Sequence, residues 1–231
     1  MAIIPARGGS KSIPMKNITC LAGTPLIAFT IEVARKSRLV SRVLVSTDSE
    51  KIRDVSLSLG AEAPFLRPAE LAQDDTPDLP VFLHALEWLS KNEDYHPEIV
   101  VHLRPTTPLR RVERVDEAID LLVGNPEADS VRAVSPPLQN PFKMWTLGDP
   151  WLRPLVDVGV REPYNQPRQS LPTVYWQTGY VDVIRTSTLI SKNSMTGDLI
   201  LPYFMEEQFV VDIDQPFSLK LAELFLEYGN Y

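Results

Sequence analysis

The sequence predicts an α/β protein, with a mostly parallel sheet and helices on both of its faces. Three observations carry that prediction. Short apolar runs (Ala2–Ile4, Val43–Val45, Ile99–Leu103, Ser130–Val134) recur along the first two thirds of the chain. Segments with apolar residues at helical spacing lie between them. The runs are β-branched and continuous rather than alternating, as in strands covered on both faces.

In chain order, Ala2-Ile3-Ile4 is a first buried strand. Thr24-Pro25 reads as a helix start, with Thr24 as cap and Pro25 in the first turn. Leu26, Phe29, Thr30, Val33 and Ala34 then recur at helical spacing. Val43 to Thr47 is a second strand ending at Asp48, and Glu50 to Leu59 a helix with Gly60 as its C-cap. Asp78 can cap a helix reaching about Ser90. Ile99 to Leu103 is a strand, Val112 to Val123 a helix and Ser130 to Val134 a strand. From about 136 to 172 the chain is rich in Pro, Trp and Asn and loses helical periodicity. That stretch reads as an irregular or β-type excursion, a candidate dimerisation or lid segment. Val174 to Ile184 reads as a strand returning to the core, Phe209 to Ile213 as a last short strand, and Phe217 to Tyr228 as a closing helix. A single domain spanning 1–231 accounts for all of it. In a parallel sheet of this kind ligands sit at the carboxyl ends of the strands, so the loops after Ile4, Val45 and Leu103 are where to look.

Composition narrows the function. At 231 residues the chain is long enough to bury a core without disulfides, and 44% hydrophobic with 23% charged residues is ordinary globular composition. Lys and Arg total 23 against 30 Asp and Glu, a net charge of −7 that argues against nucleic-acid and anionic-membrane partners. Cys20 is the lone cysteine, which excludes an internal disulfide and paired-cysteine zinc sites. His84, His96 and His102 are too scattered for a metal motif. No apolar run approaches the roughly 18–20 residues of a membrane span, and the N-terminus does not read as a signal peptide, so a cytoplasmic location is expected.

The first loop is the most informative segment. Pro5 to Asn17 follows the first strand directly and carries Arg7, Gly8, Gly9, Ser10, Lys11 and Lys16. Two glycines let backbone N–H groups approach an anion closely, and three cations in ten residues of an acidic chain suit a triphosphate. The segment is neither a Walker A loop nor a G-x-G-x-x-G turn, and Pro14 argues against an immediate helix. Its alternative reading is a glycine turn with solvated lysines. Near the other end, Asp212 and Asp214 form a D-x-D pair. Residues two apart on an extended strand share a face, and two carboxylates there suit Mg²⁺, a hard cation. A surface strand end with two unpaired acids is the plain alternative.

The run A-R-G-G-S-K-x-I-P-x-K-N resembles the N-terminal signature of the acylneuraminate cytidylyltransferases, the CMP-sialic acid synthetases. Further matches follow in family order: Val45-Ser46-Thr47-Asp48, Arg67 to Ala72, Arg104-Pro105-Thr106-Thr107-Pro108-Leu109-Arg110, Gln166-Pro167-Arg168-Gln169 and Asp212-Ile213-Asp214. The resemblance implies a Rossmann-like fold of the nucleotide-diphospho-sugar transferase type. It implies transfer of a cytidylyl group from CTP to the anomeric hydroxyl of a nonulosonic acid, with Mg²⁺ as cofactor and a homodimer as the assembly. By resemblance, Arg7, Gly8, Ser10, Lys11 and Lys16 surround the phosphates; Arg7 and Lys16 count as catalytic, and Lys16 is positioned to stabilise charge on the α-phosphate. Asn17 faces the ribose or base, and Arg67, Thr76 and Asp78 line the nucleoside pocket. Asp212 and Asp214 hold the metal, and Asp214, directly or through a bound water, takes the hydroxyl proton. Lys143 and Arg168 match positions near the sugar, where the acceptor carboxylate needs a cation; a solvated lysine and an interface ion pair are their plain alternatives.

Two departures bear on the acceptor. The family often has glutamine where Arg104 stands, and an aromatic residue where Asp182 falls. Both are assigned to the acceptor side, and pairing of Arg104 with Asp182 is the simpler explanation. Asp78 occupies a position where a small hydroxyl is frequent; it is read first as a helix cap and second as an acceptor for the cytosine amino group. The competing functions are a cytidylyltransferase for a Kdo-like sugar or a phosphonate, a metal-dependent glycosyltransferase, and a non-catalytic nucleotide-binding module.

Overall fold

A computed structural model of the chain describes residues 1–205 and 211–229. The first strand, β1 (Ala2–Pro5), leads through the first loop to a small hairpin of β2 (Cys20–Leu21) and β3 (Thr24–Pro25), and then to α1 (Leu26–Lys36). Thr24 is therefore a hairpin residue rather than a helix cap, and α1 starts behind Pro25 with no side-chain cap. Next come β4 (Val43–Ser46) and α2 (Glu50–Ser58), and Gly60 takes a positive φ of 79° that reverses the chain. α3 (Asp78–Glu93), β5 (Ile99–His102), α4 (Val112–Val123) and β6 (Ser130–Ser135) agree with the sequence expectations to within a few residues. Asp78, however, is the first residue inside α3, behind Pro77, and does not cap it.

The excursion holds a short hairpin, β7 (Trp145–Leu147) with β8 (Leu152–Pro154), among single 3-10 turns. β9 (Trp176–Arg185) then re-enters the sheet. α5 (Thr186–Ser191) and β10 (Ile200–Phe204) follow, two elements that the sequence analysis does not anticipate, and α6 (Pro216–Tyr228) closes the chain. Of the expected strand Phe209 to Ile213, the first two residues lie outside the described ones, and Val211 to Ile213 form no regular strand.

The main sheet has the order β10-β6-β9-β5-β1-β4. β9 runs antiparallel to both neighbours and the remaining pairs are parallel. This makes the sheet mixed but mostly parallel. Alternate residues of β1 point into two different cores. Ala2 and Ile4 join Ile27 and Ile31 of α1 and Val115 and Ile119 of α4 on one face, while Ile3 joins Phe82 and Leu86 of α3 and Leu189 of α5 on the other. Burial on both faces is why β1 reads as a continuous apolar run. A third cluster of Ile13, Leu21, Leu26, Leu109, Val211, Ile213 and Ala222 fastens α6 and the segment before it to the base of the first loop. That packing carries Asp212 and Asp214 from the far end of the sequence to the ends of β1 and β5.

Candidate active site

Strand order reverses at β1, with β4 on one side and β5 on the other. An α/β sheet opens a crevice at such a point, and a cleft of about 260 Å³ lies there. Arg7, Ser10, Lys16, Asn17, Arg67, Thr76, Asp78 and Arg104 line it, with Asp74 and Thr106. Most of the residues assigned to the nucleotide from sequence thus converge on one wall system.

Each is held by an identifiable contact. The Lys16 ammonium, nearly buried in a 3-10 turn, donates to Asp214 Oδ1 at 3.0 Å. The buried Asn17 amide donates to the Arg7 carbonyl at 2.8 Å and shapes the loop. Arg7 pairs with Asp74 at 2.7 Å, and Lys11, otherwise solvated, pairs with the same carboxylate. The Gly8 N–H donates to Asp48 Oδ1 at 2.8 Å. Gly8 therefore braces the loop against the end of β4, and its amide is not turned to an anion as the sequence reading expects. The Arg67 guanidinium is buried, donating to the carbonyls of Ser46 and Leu71, and burial draws its pKa below the usual arginine range. The Thr76 hydroxyl donates to the Glu70 carbonyl at 3.3 Å.

The D-x-D pair does not sit on an extended strand. Asp214 N–H turns back to the Asp212 carbonyl at 3.2 Å, and Ile213 N–H donates to the Thr106 carbonyl at 2.7 Å. Asp212 Oδ1 is buried with no hydrogen-bond partner. Burial raises the Asp212 carboxyl above its usual range; a hydrogen bond from Thr106 opposes the rise, and the charge on Asp214 adds to it. An orphaned, repelled carboxylate oxygen beside a second carboxylate is a donor set that a hard divalent cation satisfies. No cluster of three or more His, Cys, Asp or Glu forms among the described residues.

The acceptor-side residues separate into two places. Arg104 faces the cleft and Asp182 lies beneath it, 2% exposed. Arg104 Nη1 donates to Asp182 Oδ2 at 2.8 Å, and Arg132 Nε donates to Asp182 Oδ1 at 2.9 Å. Asp182 is thus an internal counter-charge and not a surface that touches an acceptor. Asp78 Oδ2 meets Arg104 Nη2 at 3.4 Å. Lys143 and Arg168 stand together in a second cleft with Leu138, Gln139, Asn140 and Met144, apart from Arg104. There Arg168 donates to the Pro137 carbonyl at 2.7 Å.

Two residues of the site escaped the sequence reading of roles. Arg110, the last residue of the Arg104 to Arg110 motif, is buried. It donates to the Arg104 carbonyl at 2.6 Å, to Thr30 Oγ1 at 2.9 Å and to the Tyr180 carbonyl, and so clamps the loop after β5. Burial lowers its pKa from the usual arginine range. His102 is fully buried, edge-on to Phe82 with ring centroids 4.6 Å apart, and burial keeps it neutral. Its place at the end of an apolar strand was the only signal.

Comparison with known proteins agrees with this geometry. A family model described as Cytidylyltransferase matches residues 1–151. A CMP-N,N'-diacetyllegionaminic acid synthase of Legionella pneumophila is 31% identical over 236 residues, covering 100% of this chain and 97% of that protein. An N-acylneuraminate cytidylyltransferase of Streptococcus agalactiae is 30% identical over 99% of the chain, which spans 54% of that longer protein. Among solved structures, a CMP:2-keto-3-deoxy-manno-octonic acid synthetase complexed with CTP superposes with a TM-score of 0.71 at 15% identity, over 98% of this chain and 97% of that one, a likeness of fold. The chain belongs to the cytidylyltransferase family.

Proposed function

We propose that this enzyme transfers the CMP group of CTP to the anomeric hydroxyl of a nonulosonic, sialic-acid-like sugar and releases pyrophosphate. The observation that supports it most is the meeting of Lys16 with Asp214, 198 positions apart in sequence, at the mouth of a cleft lined by Arg7, Asn17 and Arg67. A cation for the α-phosphate and a carboxylate for a hydroxyl proton are what cytidylyl transfer requires side by side.

In this reading Arg7, Ser10 and Lys11 bind the β- and γ-phosphates, with Asp74 displaced from the two cations. Asn17, Arg67, Thr76 and Asp78 face the nucleoside. The sugar hydroxyl oxygen attacks the α-phosphorus, the bond from phosphorus to the β-phosphate oxygen breaks, and pyrophosphate leaves with that electron pair. Asp214 takes the hydroxyl proton. Lys16 meets the charge that grows on the α-phosphate oxygens, an interaction strongest in the transition state. Asp212 and Asp214 would hold a Mg²⁺ ion, which supplies charge neutralisation at the α-phosphate.

The acceptor's carboxylate needs a cation, and Lys143, Arg168 and Arg104 are the candidates. The first two do not share the nucleotide cleft, which supports a homodimer in which the excursion of one protomer completes the acceptor site of its partner. Its exposed Leu138, Leu147, Trp151 and Leu152 suit an interface. No described helix is long and apolar enough to cross a membrane. The exposed free Cys20 and the net negative charge fit a cytoplasmic enzyme without nucleic-acid or membrane partners. Arg104 favours one second reading, a more anionic acceptor such as a phosphonate, because a guanidinium stands where an amide is usual.

The test is pyrophosphate release with Mg²⁺, crossing the four nucleoside triphosphates against N-acetylneuraminic, deaminated neuraminic, pseudaminic, legionaminic and Kdo acids. Turnover with CTP and one nonulosonic acid supports the proposal. Silence with every nonulosonic acid, in protein that still binds CTP, overturns its acceptor half.

A further inference from the structure

We propose that Asp182 is a positioning residue: held by Arg132, it fixes the Arg104 guanidinium as a preset donor to an oxygen of the acceptor. The proposal rests on the functional reading above. It treats the two departures, Arg104 and Asp182, as one charge unit.

The sheet builds this unit from neighbouring strands. Asp182 on β9 is registered opposite His102 of β5 on one side and Arg132 of β6 on the other, so three side chains stand in a cross-strand row. Arg104 lies two residues beyond His102, where an extended chain returns its side chain to the same face. One Asp182 oxygen accepts from Arg132 Nε at 2.9 Å and the other from Arg104 Nη1 at 2.8 Å. The floor under the row is sealed. His102 Nδ1 is 3.8 Å from Asp182 Oδ2 and 3.9 Å from Asp78 Oδ2, and neither of its ring nitrogens has a hydrogen-bond partner. Burial, then the charges of Arg104, Arg110 and Arg132, push the His102 pKa well below its usual value. Arg104 and Arg132 are the cations that hydrogen-bond Asp182, while the buried Arg110 adds its field.

Arg104 differs from Asp182 in its outlook. Its side chain is 22% exposed and lines the cleft, and its second terminal nitrogen reaches Asp78 only at 3.4 Å. The guanidinium is thus gripped firmly on its inner edge and weakly on its outer edge. Gly179 beside the arm has φ +71°, a backbone conformation that favours glycine; a β-carbon there would meet Arg104 Cδ at 3.5 Å, an ordinary contact. An arginine loses rotamer freedom when it grips a ligand, and anchoring one nitrogen beforehand removes part of that loss. A planar fork set in one orientation also selects among acceptors by where they carry oxygen.

Steady-state kinetics on the full chain, with CTP and the acceptor that wild type turns over, test this. Asp182→Asn is expected to raise the acceptor KM about tenfold while the CTP KM stays within about twofold. In an Arg104→Gln background the same substitution is expected to add nothing, because the group it positions has gone. Asp182→Glu, which keeps the charge, is expected to recover part of the loss. Equal rises in both KM values, or the same effect in both backgrounds, overturn the proposal and leave a simple fold ion pair. Should Asp182→Asn fail to fold, Arg132→Gln loosens Asp182 from the other side. A rise in acceptor KM alone then supports the relay, and an unchanged acceptor KM overturns it. Wild type that releases no pyrophosphate with any nonulosonic acid overturns the functional reading and this inference together; variants that fail to separate the two KM values on an active wild type overturn the inference alone.

Discussion

The cleft at β1 and the excursion from 136 to 172 are opposites in how they meet solvent. In the cleft nearly every charge has a partner in the chain: Arg7 and Lys11 on Asp74, Lys16 on Asp214, Arg104 on Asp182. In the excursion apolar side chains stand uncovered, with Leu147 83% and Trp151 74% exposed. The cleft is electrostatically preset for a small charged ligand, which needs only to replace one internal partner. The excursion is a surface whose apolar area another surface would cover, and its cations Lys143 and Arg168 stand in a cleft of their own.

The largest effects should come from breaking the preset charges. Lys16→Ala and Asp214→Asn are each expected to lower kcat about 10²–10³-fold, the usual scale for losing a group that acts on transition-state charge. Pyrophosphate release measures this, and unchanged circular dichroism separates it from unfolding. Equal activity in Asp214→Asn would refute the proton assignment. Next in size is the uncovered surface. If the proposed homodimer forms through the excursion, replacing Leu147 and Trp151 together with serine should convert it to a monomer in sedimentation and raise the acceptor KM about tenfold, with the CTP KM little changed. A wild type that sediments as a monomer would remove the contrast, because the excursion would then be a lid of its own chain.

The same contrast explains what could be read from sequence. β1, β4, β5 and β6 are buried on both faces or nearly so, and their apolar runs state it. α4 was legible to the residue, because its apolar positions face one core. β10 was missed because it is an edge strand, half exposed and interrupted by Pro202, and α5 because six residues carry too little periodicity. Asp78 misled through its type: an acid ahead of a helix looks like a cap, but Pro77 takes the cap position and leaves the carboxylate facing Arg104. Arg7, Ser10, Lys16 and Asn17 can be picked out together because they share one contiguous loop, whereas Arg67, Thr76 and Asp78 reach the same cleft from later in the chain. Pairing of Arg104 with Asp182 is the simpler sequence explanation of two unusual residues 78 positions apart, and the contact bears it out; strand register shows why they meet. Arg110 gave no sign of its clamp, since an arginine ending a motif reads as a ligand before it reads as a bolt.

The smallest expected effect tests whether the cleft is preset or also self-restrained. Asp74 holds Arg7 and Lys11, the two cations assigned to the terminal phosphates, so CTP has to displace it. Removing its charge with Asp74→Asn is expected to lower the CTP KM by about two- to fivefold, the scale of exposed ion pairs, and not to raise it as loss of a binding group would. The hydrogen bonds and charge of Lys11 and then Arg7 hold the Asp74 carboxyl below its usual range, so it stays ionised at neutral pH. A depressed carboxyl keeps its pairing above the ordinary carboxylate range and loses it only as pH falls through the lowered value. The gap between wild type and Asp74→Asn should therefore be flat between about pH 6 and 8. It should shrink as salt rises, because an ion pair at the surface is screened within a Debye length of about 10 Å at 0.1 M. A CTP KM that rises in Asp74→Asn would instead make Asp74 part of the binding wall, and the cleft would then be built around the nucleotide rather than held closed against it.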